Sequence, residues 1–171
     1  MNNNSEKKET FDLFKKYQNK YSNFRVIDAN YEFNYSKINN QAVEAAKGEY
    51  IVLLNNDTEI ITPHWLQVMV GYAMQPHIGA VGAKLLYPDN TVQHAGIILG
   101  IGGIAQHCFI DNPREDVGFY GRLSVPFNYS AVTAACLMVS KEKYLEVNGL
   151  EEDLQVAFND VDFNLKLLKQ G

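Results

Sequence analysis

Cysteine is scarce in this chain. Cys108 and Cys136 are its only two and stand far apart, which suits neither a disulfide framework nor a cysteine-based zinc site and fits a reducing cytoplasm. Positive charge is also in deficit: 15 Lys and Arg against 20 Asp and Glu leave a formal charge of -5. Such a balance offers no general attraction for nucleic acid or for an anionic membrane. Long apolar runs are missing as well. The stretch from Ala95 to Ala105 is far shorter than the roughly 20 residues needed to span a bilayer, and glycines interrupt it. The polar start Met1-Asn2-Asn3-Asn4-Ser5 is no secretory signal, although peripheral attachment to a membrane through another segment or a partner stays compatible with the chain. Leu99-Gly100-Ile101-Gly102-Gly103 lacks the glycine spacing and following helix of a dinucleotide fingerprint. No Gly-x-Ser-x-Gly elbow supplies a hydrolase nucleophile.

What is present is the composition of one globular domain, 171 residues of which 46% are hydrophobic. Leu13, Phe14 and Tyr17 form an apolar stripe among lysines, which predicts an amphipathic helix over Lys7 to Tyr21. Arg25 to Ile27 reads as a short strand. Ser36 is placed to cap a helix carrying Ile38, Ala42, Ala45 and Ala46, with Gly48 as its stop. A buried strand follows over Tyr50 to Leu54. Thr62-Pro63 then starts a helix that Pro76 closes. Ile78 to Leu86 and Thr91 to Leu99 read as two strands joined by the turn residues Pro88-Asp89-Asn90, a hairpin rather than a crossover. Asp111 to Asn128 has no period and reads as a long surface loop, and Ala131 to Val139 as a strand. Ser140 caps a helix ended by Asn148-Gly149, and Asn159 caps a last helix from Asp160 to Lys169. Alternating strands and helices predict an α/β sandwich with a mostly parallel central sheet. Ligand sites in such sheets lie beyond the carboxyl ends of the strands.

Asn55-Asn56-Asp57 falls at such an end, directly after an apolar strand. A carboxylate there can bind Mg²⁺ or Mn²⁺ and so neutralise a diphosphate; the same three residues also suit a plain turn. Asn159-Asp160-Val161-Asp162 opens the last helix, where carboxylates favour the dipole and where one held near a substrate hydroxyl could accept its proton. Both readings stay open for each motif taken alone. The four histidines, His64, His77, His94 and His107, include no pair at the short spacing of a helical metal site, and each reads as structural or surface.

Taken in order, the segments Lys47 to Asp57, Ser36 to Asn40, Gln93-His94-Ala95-Gly96, Asn128 to Cys136 and Ala157 to Phe163 resemble glycosyltransferase family 2. The resemblance implies inverting enzymes of GT-A fold, a Rossmann-like sandwich, many of which build bacterial surface polysaccharides. It implies that Asn55-Asn56-Asp57 is a DXD-type motif in which Asn55 replaces the first Asp and Asp57 holds the metal. It further implies that Lys37 and Asn40 lie near the nucleotide-sugar donor, with Asn55 and Asn56, and that Asp160 is the catalytic base, with Asn159 where Glu is common. Asn3-Asn4-Ser5 resembles the end of the family's second strand, and Gly171 precedes the segment that often carries a further metal-binding His. Residues 1–171 therefore read as one incomplete catalytic domain, truncated at both ends.

The expected reaction is metal-assisted transfer of a sugar, with inversion, from a nucleotide diphosphate-sugar to a hydroxyl of a glycan or lipid-linked glycan acceptor. The expected place is the cytoplasm or the inner face of the membrane. The alternative is a non-catalytic remnant or carbohydrate-binding module that keeps the fold; Asn55 and the missing ends favour it.

Overall fold

The computed structural model describes residues 1–171. Its centre is a three-stranded sheet of β1 (Tyr50–Leu54), β2 (Val81–Gly82) and β7 (Cys136–Ser140), in the order β1-β7-β2. The run Cys136 to Val139 is apolar at every position because both of its faces are covered. Leu137 and Val139 face a core with Ile51 and Leu53 of β1, to which Val43 of α2 (Tyr35–Ala45), Tyr144 of α4 (Lys141–Glu146) and Phe163 and Leu167 of α5 (Asn159–Gln170) contribute. Cys136 and Met138 face the other way, onto Met69 and Ala73 of α3 (Trp65–Ala73). Helices thus cover both faces of the sheet.

The mostly parallel sheet is not found. β7 runs antiparallel to both neighbours, with Leu53 opposite Leu137 and Val81 opposite Met138, and the one parallel pairing is an isolated bridge from Asn2 to Asp28. Alternating strands and helices imply parallel neighbours only when successive strands lie side by side. β1 and β2 do point the same way, but the slot between them is filled by a strand that arrives much later in the chain and from the opposite end.

Two hairpins occupy the intervening sequence. β3 (Leu85–Leu86) pairs with β4 (Val92–His94), and β5 (Ile97–Leu99) with β6 (Ala105–His107), all antiparallel. The hairpin reading at Pro88 to Asn90 agrees with this, yet each long strand is broken in two. Gly96 makes the second break at φ 111°, where a Cβ would lie 2.3 Å from the Tyr129 ring; only glycine fits both demands. The loop from Asp111 to Asn128 is irregular apart from an isolated bridge of Pro113 to Thr91 and one 3-10 turn, Phe119–Gly121.

Helix ends depart from the expected caps where tertiary contacts compete. α2 is capped by Asn34, whose side chain accepts from the Lys37 amide, while Ser36 is buried and donates to the Leu154 carbonyl. Its end is Ala46 rather than Gly48, where the Lys141 ammonium donates to the Ala46 carbonyl at 2.6 Å. α3 begins at Trp65, after Thr62 and Pro63. α4 keeps its expected cap, Ser140. α5 starts one residue early, with Phe158 as a left-handed N-cap; Asn159 is buried and donates instead to the Leu154 carbonyl. Arg25 to Ile27 forms no strand. α1 (Lys8–Lys20) forms as expected but buries none of its residues. No helix is long and apolar enough to cross a membrane.

Candidate active site

Asn55-Asn56-Asp57 turns outward at the carboxyl end of β1. Neighbouring backbone fixes this turn: the Asn55 amide donates to the Ala135 carbonyl at 3.0 Å and the Thr58 hydroxyl to the Asn55 carbonyl at 2.8 Å. Asn55 is half-buried, whereas Asn56 and Asp57 are exposed. Asp160, half-buried in the first turn of α5, accepts from the Ala134 amide at 3.2 Å through Oδ2 and from the Val161 amide at 2.8 Å through Oδ1. Asn164 ties the same helix to this stretch by donating to the Val132 carbonyl. The segment Thr133-Ala134-Ala135 is therefore a crosspiece between the two acidic motifs, which lie about a hundred residues apart in sequence and share one network in space.

Tyr35, which the sequence reading did not single out, closes that network. Its hydroxyl oxygen lies 2.9 Å from the Ala134 carbonyl and 3.3 Å from Asn55 Oδ1. A phenol has one proton and cannot donate to two oxygens. The shorter contact, to an obligate acceptor, takes it. The 3.3 Å contact with the Asn55 side chain is then the weaker of the two. Burial first, and then the charge of Asp160, push the Tyr35 pKa up to about 12, so the phenol keeps its proton at any physiological pH. Helical spacing gave no sign of this role, because an aromatic at the start of α2 reads as core.

Lys37 and Asn40 do not join the cluster by any hydrogen bond. Lys37 is exposed, its ammonium 4.6 Å above the Tyr31 ring. Asn40 is occupied elsewhere: its Oδ1 accepts from the Tyr144 hydroxyl at 2.6 Å and the Leu150 amide at 3.0 Å, and its Nδ2 donates to the Leu150 carbonyl at 2.9 Å.

No group of three or more His, Cys, Asp or Glu side chains is arranged to hold a metal ion. Asp57 offers a single hard carboxylate, with amide oxygens beside it. That donor set suits Mg²⁺ or Mn²⁺ only if a ligand completes the shell, since such ions demand about six oxygens.

His94 is buried and structural. Its Nε2 accepts from the amides of Gly96 at 3.3 Å and Thr133 at 3.4 Å, and its Nδ1 lies 3.2 Å from His107 Nδ1. Burial first, then the neighbouring His107, push its pKa from 6.5 down to about 3. Between those values the unfolded chain takes a proton that the folded one refuses, so stability present above pH 6.5 is lost as pH falls. We expect a loss of about 2 kcal/mol between pH 7 and pH 5 from this residue, at about 1.4 kcal/mol per unit below its unfolded pKa. Urea unfolding at both pH values checks it: His94→Gln should flatten the dependence, and an unchanged slope would refute the assignment.

The sequence profile of glycosyl transferase family 2 matches residues 1–143. The chain is similar to a protein of Sinorhizobium fredii (strain NBRC 101917 / NGR234) called uncharacterized protein y4gI, with 44% identity over 172 residues, covering 100% of this chain and 19% of that protein. It is also similar to the O-antigen biosynthesis protein RfbC of Myxococcus xanthus, with 38% identity over 180 residues, covering 100% of this chain and 13% of that protein. The chain thus spans less than a fifth of either relative; both relatives match over the two acidic motifs, whereas the profile includes the strand-end motif and stops before Asp160. With a profile match over most of its length and a sheet whose end carries the motif that the profile includes, the chain belongs to glycosyl transferase family 2.

Proposed function

We propose that this domain transfers a sugar, with inversion, from a nucleoside diphosphate-sugar to a hydroxyl of a glycan or lipid-linked glycan, at the cytoplasmic side of the membrane. The supporting observation is the crosspiece Thr133-Ala134-Ala135, which bonds both the donor-side Asn55 and the carboxylate of Asp160. The sandwich is read as part of a GT-A fold, and the Myxococcus relative's name points to surface-polysaccharide synthesis as the setting.

In this reading the acceptor hydroxyl oxygen attacks the anomeric carbon from the face opposite the leaving group. The bond from that carbon to the diphosphate breaks, its electron pair leaves with the diphosphate, and Asp160 takes the acceptor's proton. One displacement inverts the configuration. Asp57 is the residue that would hold Mg²⁺ or Mn²⁺, which supplies neutralisation of diphosphate charge. Asn55 and Asn56 line the donor-facing turn, and Lys37, on the first turn of α2 beyond Tyr35, offers a cation to the phosphates. Asn40 acts indirectly, by holding α2 against the segment around Leu150.

A donor-hydrolysis screen over nucleotide sugars with the full-length protein tests the reading; no hydrolysis of any donor would overturn it. We also expect metal and nucleoside diphosphate to bind cooperatively, because one carboxylate supplies too few ligands. In calorimetry, Mn²⁺ should tighten diphosphate binding by about tenfold or more, equivalent to about 1.4 kcal/mol, and Asp57→Asn should abolish that gain. Tight metal binding without nucleotide, or nucleotide affinity indifferent to chelator, would contradict it.

A further inference from the structure

The β5–β6 hairpin and the loop after it line an open hollow of about 460 Å³, within the range of about 300–1,000 Å³ typical of small-molecule sites. Gln106, His107, Arg122 and Tyr129 are among its lining residues. The Tyr129 hydroxyl is buried and has no hydrogen-bond partner, a state that costs stability unless a ligand supplies one. Its ring is held in place by the close backbone approach at Gly96 and lies 5.4 Å from the Phe127 ring. Arg122 stacks 4.3 Å above Phe127 and forms no ion pair, in a chain whose net charge is -5. Its charge reaches the hollow, since it works against the burial that raises the Tyr129 and Cys108 pKa values. His107 and Ile110 also line a second hollow of about 290 Å³, walled by Thr133 and Ala135. These flank Ala134, whose amide holds Asp160. The two hollows therefore adjoin, and the inner one reaches the crosspiece that bonds the proposed base.

We propose that the outer hollow is a subsite for an anionic sugar unit of the acceptor glycan, its negative group paired with Arg122 and a ring oxygen or hydroxyl meeting Tyr129. This rests on the reading of the domain as a sugar transferase. The guanidinium is a planar fork that matches a carboxylate or a phosphate by two parallel hydrogen bonds. Fixed aromatic rings beside it offer an apolar wall to the C–H face of a pyranose. A nucleotide is the weaker fit, because none of Asn55, Asn56 and Asp57 lines either hollow.

The test is binding of the full-length protein to an array of bacterial glycans holding neutral, uronic acid-bearing and phosphate-substituted members of matched backbone. Anionic members should bind at least tenfold more tightly than neutral ones; preference for the carboxylate or for the phosphate arm names the source, and either supports the subsite. Arg122→Gln should erase the preference, Arg122→Lys should restore part of it, and Tyr129→Phe should weaken binding of every retained glycan. Equal retention of neutral and anionic members, no retention, or a preference that survives Arg122→Gln in a folded variant would overturn it. Donor hydrolysis is measured in parallel: if it persists and the array result is negative, only the subsite fails, whereas its absence removes the parent reading.

Discussion

Asp160→Asn is expected to lower the initial transfer rate of the full-length protein by about 10²-fold or more, because an amide cannot take the acceptor's proton at neutral pH. Folding and donor affinity should stay nearly intact. The carboxylate makes two hydrogen bonds, both as acceptor from backbone amides, and the oxygen of an asparagine can keep the one to Ala134. Loss of charge at the start of α5 should cost about 1 kcal/mol or less. Asp162 is the internal control. It lies two residues on, paired with Lys166 at 2.8 Å in a partly exposed ion pair of the kind worth about 1 kcal/mol or less, and it makes no bond to the crosspiece. Asp162→Asn should therefore retain most of the transfer rate. Initial rates beside thermal melting and donor titration decide the matter: equal losses in the two variants, or a loss at Asp160 that tracks unfolding, would sink the assignment of the base.

Asn40→Ala is expected to act on stability before it acts on the donor. The substitution strips the buried Tyr144 hydroxyl and the Leu150 amide of their shared acceptor and the Leu150 carbonyl of its donor. Each buried group left unpaired costs about 1–3 kcal/mol, so the three together should cost at least about 3 kcal/mol. For a domain of this size that corresponds to a fall in melting temperature of about 6–12 °C. The site is tightly built. Gly149 beside it takes φ 64°, and a Cβ there would lie 2.5 Å from Asn40 Oδ1. A raised KM for donor with unchanged melting would instead mark Asn40 as a direct donor contact.

Several elements were legible because their signals are local. The apolar run of β1, the amphipathic pattern of α1, the serine cap of α4 and the turn at Asn148-Gly149, both in positive φ, depend on neighbours within a few residues, and they appear where the sequence puts them. Caps were less legible. Ser36 and Asn159 have the right chemistry for an N-terminus, but each lies where burial offers a better partner, the Leu154 carbonyl. A cap competes with every other acceptor within reach, and only the folded chain says which those are.

The chain's residues and their order were enough to determine its family, its mixed α/β make-up, the position of Asn55-Asn56-Asp57 at a strand end and the start of the last helix to within one residue of Asp160, because each rests on short-range pattern. Tertiary structure alone decided that β7 enters between β1 and β2, which makes the sheet antiparallel, and that entry carries Ala134 and Ala135 into contact with both motifs. It also decided the partners of Tyr35, Asn40 and His94, each of which bonds residues far along the chain. The division has one physical reason: hydrophobic period and turn chemistry act over a few residues, whereas strand order and the pairing of buried polar groups depend on which distant segments the core brings together.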